Sequence, residues 1–72
     1  MNKITLKAAR GLKELTQNEM AEKLGVSTTT YRNYETYKNI MPVTTAMLFS
    51  EIVDIPVKEL IFLKIMLHII QQ

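Results

Sequence analysis

LTQNEMAEKLGVSTTTYRNYE, residues 15–35, holds two helix starts and one tight stop within a single short run. Thr16-Gln17-Asn18-Glu19 is a capping box, in which the Thr16 hydroxyl meets the Glu19 amide and the Glu19 carboxylate reaches back. Met20, Ala21 and Leu24 follow on one helical face, and Gly25 suits a left-handed residue closing that helix. Ser27, after only a Gly-Val turn, reads as the N-cap of another helix whose inner face carries Tyr31 and Tyr34. The small Ala21 stands where two helices so joined approach most closely. Together these features describe a helix-turn-helix.

Three consecutive threonines are poor helix formers, because β-branched side chains lose χ1 freedom against the preceding turn. Their use at 28–30 makes sense if the start of the second helix is selected for contact chemistry. In a helix-turn-helix that end meets base edges in the DNA major groove. Short hydroxyls can cap the helix and bond bases or phosphates, and a threonine methyl can pack on thymine. Asn33, one turn on, can bind adenine through two hydrogen bonds, and Arg32 suits a phosphate or guanine. The competing reading is that residues 27–30 form only a capped loop.

Outward from this core the chain reads as all-α, with five short helices and no strand alternation. The first spans about Ile4 to Glu14, with Leu6, Ala9 and either Leu12 or the stem of Lys13 facing inward. A fourth runs from Pro42 or Val43 to Val53, with Val43, Ala46, Met47, Phe49 and Val53 as core candidates. A fifth begins near Val57, after Asp54-Ile55-Pro56, and continues through Leu60 into an apolar tail. The expected organisation is one domain over 1–62 and a tail over 63–72.

Composition sets outer limits. The chain has 72 residues, 47% hydrophobic, which is near the lower size for an unstapled core. Without cysteine there is no disulfide or thiolate metal site, and a single histidine, His68, does not make a zinc centre. The amino terminus has no apolar signal-like run, so a reducing cytoplasm is expected. Residues 1–40 carry seven basic and four acidic side chains, +3, whereas 41–72 carry two and three, −1. The basic first half points mildly to a polyanion.

Residues 6–60 resemble the Cro/repressor-type helix-turn-helix family of bacteria and their phages. The resemblance rests on Leu6, Arg10, Leu15-Thr16-Gln17, Glu19-Met20-Ala21, Leu24-Gly25-Val26-Ser27, Glu35 and Leu60. It implies a five-helix DNA-binding domain of lambda-repressor type. It also implies base contacts by Ser27, Thr28, Thr29 and Asn33. Phosphate contacts would come from Arg10, Gln17, Thr30, Arg32 and Lys38. Arg10 and Glu35 match a family ion pair joining helix one to the end of helix three. Two roles are open for it, purely structural or also aiming the guanidinium at the DNA backbone. The family's Asn-Gly after the glutamate is Thr36-Tyr37 here, and its proline is displaced to Pro42. Tyrosine carries a steric cost at positive φ, so a different path is expected for loop 36–41. Packing is favoured over DNA stacking for Tyr37.

The tail, Leu60 to Ile70, is apolar on nearly every side. One stripe (Leu60, Leu63, Leu67, Ile70) can cover the core; the other (Ile61, Ile65, Ile69) then needs a partner. A homodimer is the favoured reading, and a tail folded back as strand or helix within the monomer is the competing one. Lys64 interrupts the run, which is too short for a membrane span. The leading functional expectation is a sequence-specific transcriptional regulator, a small repressor binding a palindromic operator on double-stranded DNA. The second is an antitoxin or other protein-binding module on the same fold. An enzyme is the third and poorest, since Glu51, Asp54 and Glu59 show no catalytic pairing. No cofactor, metal or small-molecule ligand is expected.

Overall fold

The computed structural model describes residues 3–63. The elements are β1 (Ile4–Thr5), α1 (Leu6–Leu12), α2 (Gln17–Leu24), α3 (Thr28–Glu35), α4 (Val43–Val53), a 3-10 turn (Val57–Glu59) and β2 (Leu60–Ile61). Three starts are capped by hydroxyls, as the local chemistry dictates. Thr5 accepts from the Ala8 amide, Ser27 from that of Thr30, and Thr16 and Glu19 form the full reciprocal box.

Four α-helices form among the described residues, not five. The chain from Ile4 does not enter α1 directly, and that from Val57 does not become an α-helix. Ile4 and Thr5 instead pair in parallel with Leu60 and Ile61. A helix continuing from Val57 would be apolar all round. The two-residue ribbon buries Leu60 (0% exposed) and Ile61 (2% exposed) in the monomer. It also gives their backbone groups hydrogen-bonding partners. The folded-back arrangement therefore holds at 60–61, and Ile61 is not available as a dimer contact. Ile65 and Ile69, like His68, lie outside the described residues.

Met20, Tyr31, Phe49 and Leu6 are fully buried at the centre, with the Tyr31 and Phe49 rings stacked 6.4 Å apart. An offset aromatic pair at this separation adds to the area each ring buries. On α4, Ala46, Phe49 and Val53 line the inner stripe. Val43 and Met47, expected inside, are 75% and 58% exposed. Val43 opens the helix beyond the edge of the core, and Met47 lies about 100° around the helix from Ala46. Leu12 is likewise outside, at the end of α1, and half-buried Leu15 covers that corner instead.

All four helices end in one geometry. A residue at positive φ turns the chain, and the next amide bonds the carbonyl five residues back. The turning residues are Glu14 (φ 56°), Gly25 (72°), Tyr37 (62°) and Asp54 (58°). The closing bonds are Leu15 to Arg10, 3.4 Å; Val26 to Ala21, 3.0 Å; Lys38 to Asn33, 2.9 Å; and Ile55 to Ser50, 3.2 Å. Only one of the four is glycine, so only one was visible as a stop. Glu14 makes no side-chain hydrogen bond or ion pair among the described residues that would compensate its strain. Glu14→Gly should therefore raise stability by about 0.5–1 kcal/mol, the left-handed strain exceeding the entropy glycine adds to the unfolded chain. A fall in the thermal midpoint would contradict this.

Candidate nucleic-acid interface

Gly25 (φ 72°, ψ 29°) lets α3 leave α2 after a minimal turn, with Ala21 buried beneath the joint. The buried side of α3 is Tyr31, Tyr34 and Glu35, so Thr29, Arg32 and Asn33 are directed outward by the helical period. Thr29 and Arg32 are exposed and Asn33 is half-buried.

The hydroxyls at the start of α3 are not equivalent. Ser27 Oγ accepts from the Thr30 amide at 3.1 Å and donates to Thr30 Oγ1 at 2.9 Å. Thr28 Oγ1 donates to Asn18 Oδ1 at 2.6 Å, tying the first residue of α3 to the first turn of α2. Among the described residues the side chains of Thr29, Arg32 and Asn33 make no hydrogen bond or ion pair. Thr29 and Asn33 stand one turn apart, four residues along the same face. Thr36, exposed one turn further, donates to the Arg32 carbonyl at 3.0 Å. The helix thus presents two open polar side chains flanked by a cation, on a face whose first turn is internally braced.

Behind that face lies the Arg10–Glu35 pair. Glu35 Oε2 accepts from Arg10 Nε at 2.5 Å and from Tyr31 Oη at 2.6 Å. Its Oε1 accepts from Gln17 Nε2 at 3.0 Å and from Arg10 Nη2 at 3.2 Å. Arg10 Nη1 donates to the Leu15 carbonyl at 2.7 Å. One carboxylate, its side chain 3% exposed, thereby joins α1, α2 and α3. Burial pushes the Glu35 carboxyl up, but bonds from Arg10, Tyr31 and Gln17 outweigh it and hold the group below its ordinary value. The hydrogen bond to Glu35 raises the Arg10 guanidinium, and burial raises the Tyr31 phenol.

This cluster clarifies the residues expected at phosphates. Three of the five N–H donors of Arg10 are engaged internally, which makes bracing its main visible role. The Gln17 amide is turned inward to Glu35, while its backbone amide remains at the start of α2 beside that of Asn18. Lys38 is exposed beyond α3, and half-buried Thr30 serves the Ser27 cap. Two bonding roles escaped the sequence reading, those of Asn18 and of the Tyr31 phenol. Tyr31 left a signal, its spacing of four to Glu35; the Asn18–Thr28 bond left none, because it depends on the helix crossing.

Among the described residues there is no group of acidic, histidine or cysteine side chains able to hold a metal, and no helix long and apolar enough to cross a membrane. No match was found among curated proteins or among solved structures. A family model described as helix-turn-helix matches residues 6–60, spanning both helices of the motif, the Arg10–Glu35 brace and the ribbon residue Leu60. The chain therefore belongs to the Cro/repressor-type helix-turn-helix family of DNA-binding regulators.

Proposed function

We propose that the chain is a sequence-specific repressor of phage or mobile-element type, a homodimer acting on a palindromic operator in the cytoplasm. The supporting observation is the open pair Thr29 and Asn33 on the outer face of a recognition helix whose neighbouring polar groups are braced. In the major groove Asn33 takes adenine through its amide, and Thr29 offers a hydroxyl and a methyl to the adjoining base. Ser27 and Thr28 approach bases from the first turn, each hydroxyl still able to accept. Arg32, Lys38, Thr30 and the amino end of α2 at Gln17 meet phosphates, with the two remaining Arg10 donors behind them. Such contacts set position, whereas Thr29 and Asn33 set sequence.

The domain occupies 1–62, and the segment 63–72 supplies the second-copy contact through Ile65 and Ile69. Two copies would read half-sites about 34–36 Å apart, one turn of duplex. The same fold used as an antitoxin would keep α3 and give the tail to a different protein. Selection of bound sites from random duplexes tests both parts, with a palindrome expected. On the selected duplex Asn33→Ala and Thr29→Ala should each cost about 1–3 kcal/mol of binding and spare random DNA. Equal losses on random duplex would overturn base reading by α3, and an asymmetric single site would overturn the dimer.

A further inference from the structure

The turn after the recognition helix is closed by Tyr37 at φ 62°. A bulky residue pays a steric cost in that conformation. The compensation is on the far side of its ring. Leu6 opens α1, so its amide has no partner within the helix. The residue is also fully buried. Tyr37 Oη accepts from that amide at 3.2 Å. The same oxygen donates to the Ile61 carbonyl at 2.8 Å, at the end of β2. One phenol thus joins the start of α1, the last paired residue of the ribbon and the turn that ends α3. On the α3 side, the amides of Tyr37 and Lys38 close on the carbonyls of Tyr34 and Asn33, and Asn39 adds a second bond to Asn33. A glycine would relax the backbone and leave two groups, an amide of a buried residue and a ribbon carbonyl, without this partner.

We propose that Tyr37 is a positioning residue for DNA binding, the strut through which the β1–β2 ribbon holds the turn 36–39 and the last turn of α3 in their DNA-bound placement. The inference rests on α3 being the reading helix and assigns a control point to that site. An event that loosens Ile61 from its ribbon position is felt at Asn33, whose carbonyl receives the bonds from Lys38 and Asn39. In this role Tyr37 acts through the turn rather than by contact with DNA.

Tyr37→Phe keeps the ring and removes the strut; Tyr37→Gly relaxes φ and removes it as well. Both are compared with Ser50→Ala, which deletes a hydrogen bond to the Ile55 carbonyl, 2.6 Å, at the carboxyl end of α4. Affinity is measured on the duplex selected by the unaltered protein, at a temperature where circular dichroism shows every variant folded. Both Tyr37 variants should bind about fivefold or more weakly, with faster hydrogen exchange at the Lys38 and Asn39 amides. Ser50→Ala should lose stability and keep its affinity. If either Tyr37 variant binds as tightly as the unaltered protein, or Ser50→Ala loses as much affinity as Tyr37→Phe, the strut is overturned. Failure of the unaltered protein to select any duplex strikes the functional reading instead.

Discussion

Replacing Glu35 with alanine is expected to cost about 3–5 kcal/mol, because it strands one partner of a largely buried ion pair. The loss is not confined to Arg10. Tyr31 Oη, Gln17 Nε2 and two guanidinium nitrogens all donate to this carboxylate, and α1, α2 and α3 meet there. For a domain this small such a loss approaches the whole stability, which is typically about 5–15 kcal/mol. Chemical denaturation followed by circular dichroism measures it, and a cost below about 1 kcal/mol would mean the pair behaves as a solvated surface bridge. The same carboxylate has a pH signature. Its folded-state value lies below the ordinary 4.5, so its stabilisation is fully present above that pH. It is lost as pH falls through the lowered folded value, because the unfolded chain takes up the proton first. Glu35→Gln should flatten this part of the acid-unfolding profile.

Ile61→Glu is expected to prevent folding rather than produce a folded monomer. Ile61 is buried and paired with Thr5, and its carbonyl receives the Tyr37 phenol. A carboxylate there would stand at a position only 2% exposed, and burying an uncompensated charge belongs among the mechanisms that cost more than about 4 kcal/mol. The double change Ile65→Glu with Ile69→Glu provides the contrast. On the proposed tail dimer, sedimentation should show a folded monomer with no change in the helical spectrum. A folded, monomeric Ile61→Glu would place that side chain at the surface and refute the ribbon. A double variant that stays dimeric would remove the tail from the interface.

The core of the motif was legible because its signals are local. Thr16 and Glu19, Gly25, and Ser27 lie within one turn of the groups they satisfy, so their spacing carries the structure. Tyr31 and Tyr34 were legible for the same reason, as were Ala46, Phe49 and Val53, which recur with the helical period. Val43 was misplaced because a periodic stripe does not reveal where the core ends, and Met47 because an apolar run on α4 does not reveal which side of it faces inward. The tail was harder. Leu60 and Ile61 belong to a short apolar run that suits helix or strand equally. The choice was made by the edge that Ile4 and Thr5 offer from the opposite end of the chain. At the site, Arg10 and Glu35 were paired by resemblance, but the inward turn of Gln17 and the bond from Thr28 to Asn18 exist only once the helices cross.

Tyr37 marks the division most clearly. Its local preference argued against a left-handed turn, and it adopts one because an amide at Leu6 and a carbonyl at Ile61 both need the phenol. Sequence alone determined the starts of α2 and α3, the joint at Gly25 and the outward set on α3, since each depends on groups a few bonds apart. Tertiary structure decided the terminal ribbon, the left-handed residues Glu14, Tyr37 and Asp54, and which hydroxyls of α3 stay open. Those outcomes depend on satisfying buried polar groups between distant segments, and no spacing along the chain encodes which segments will meet.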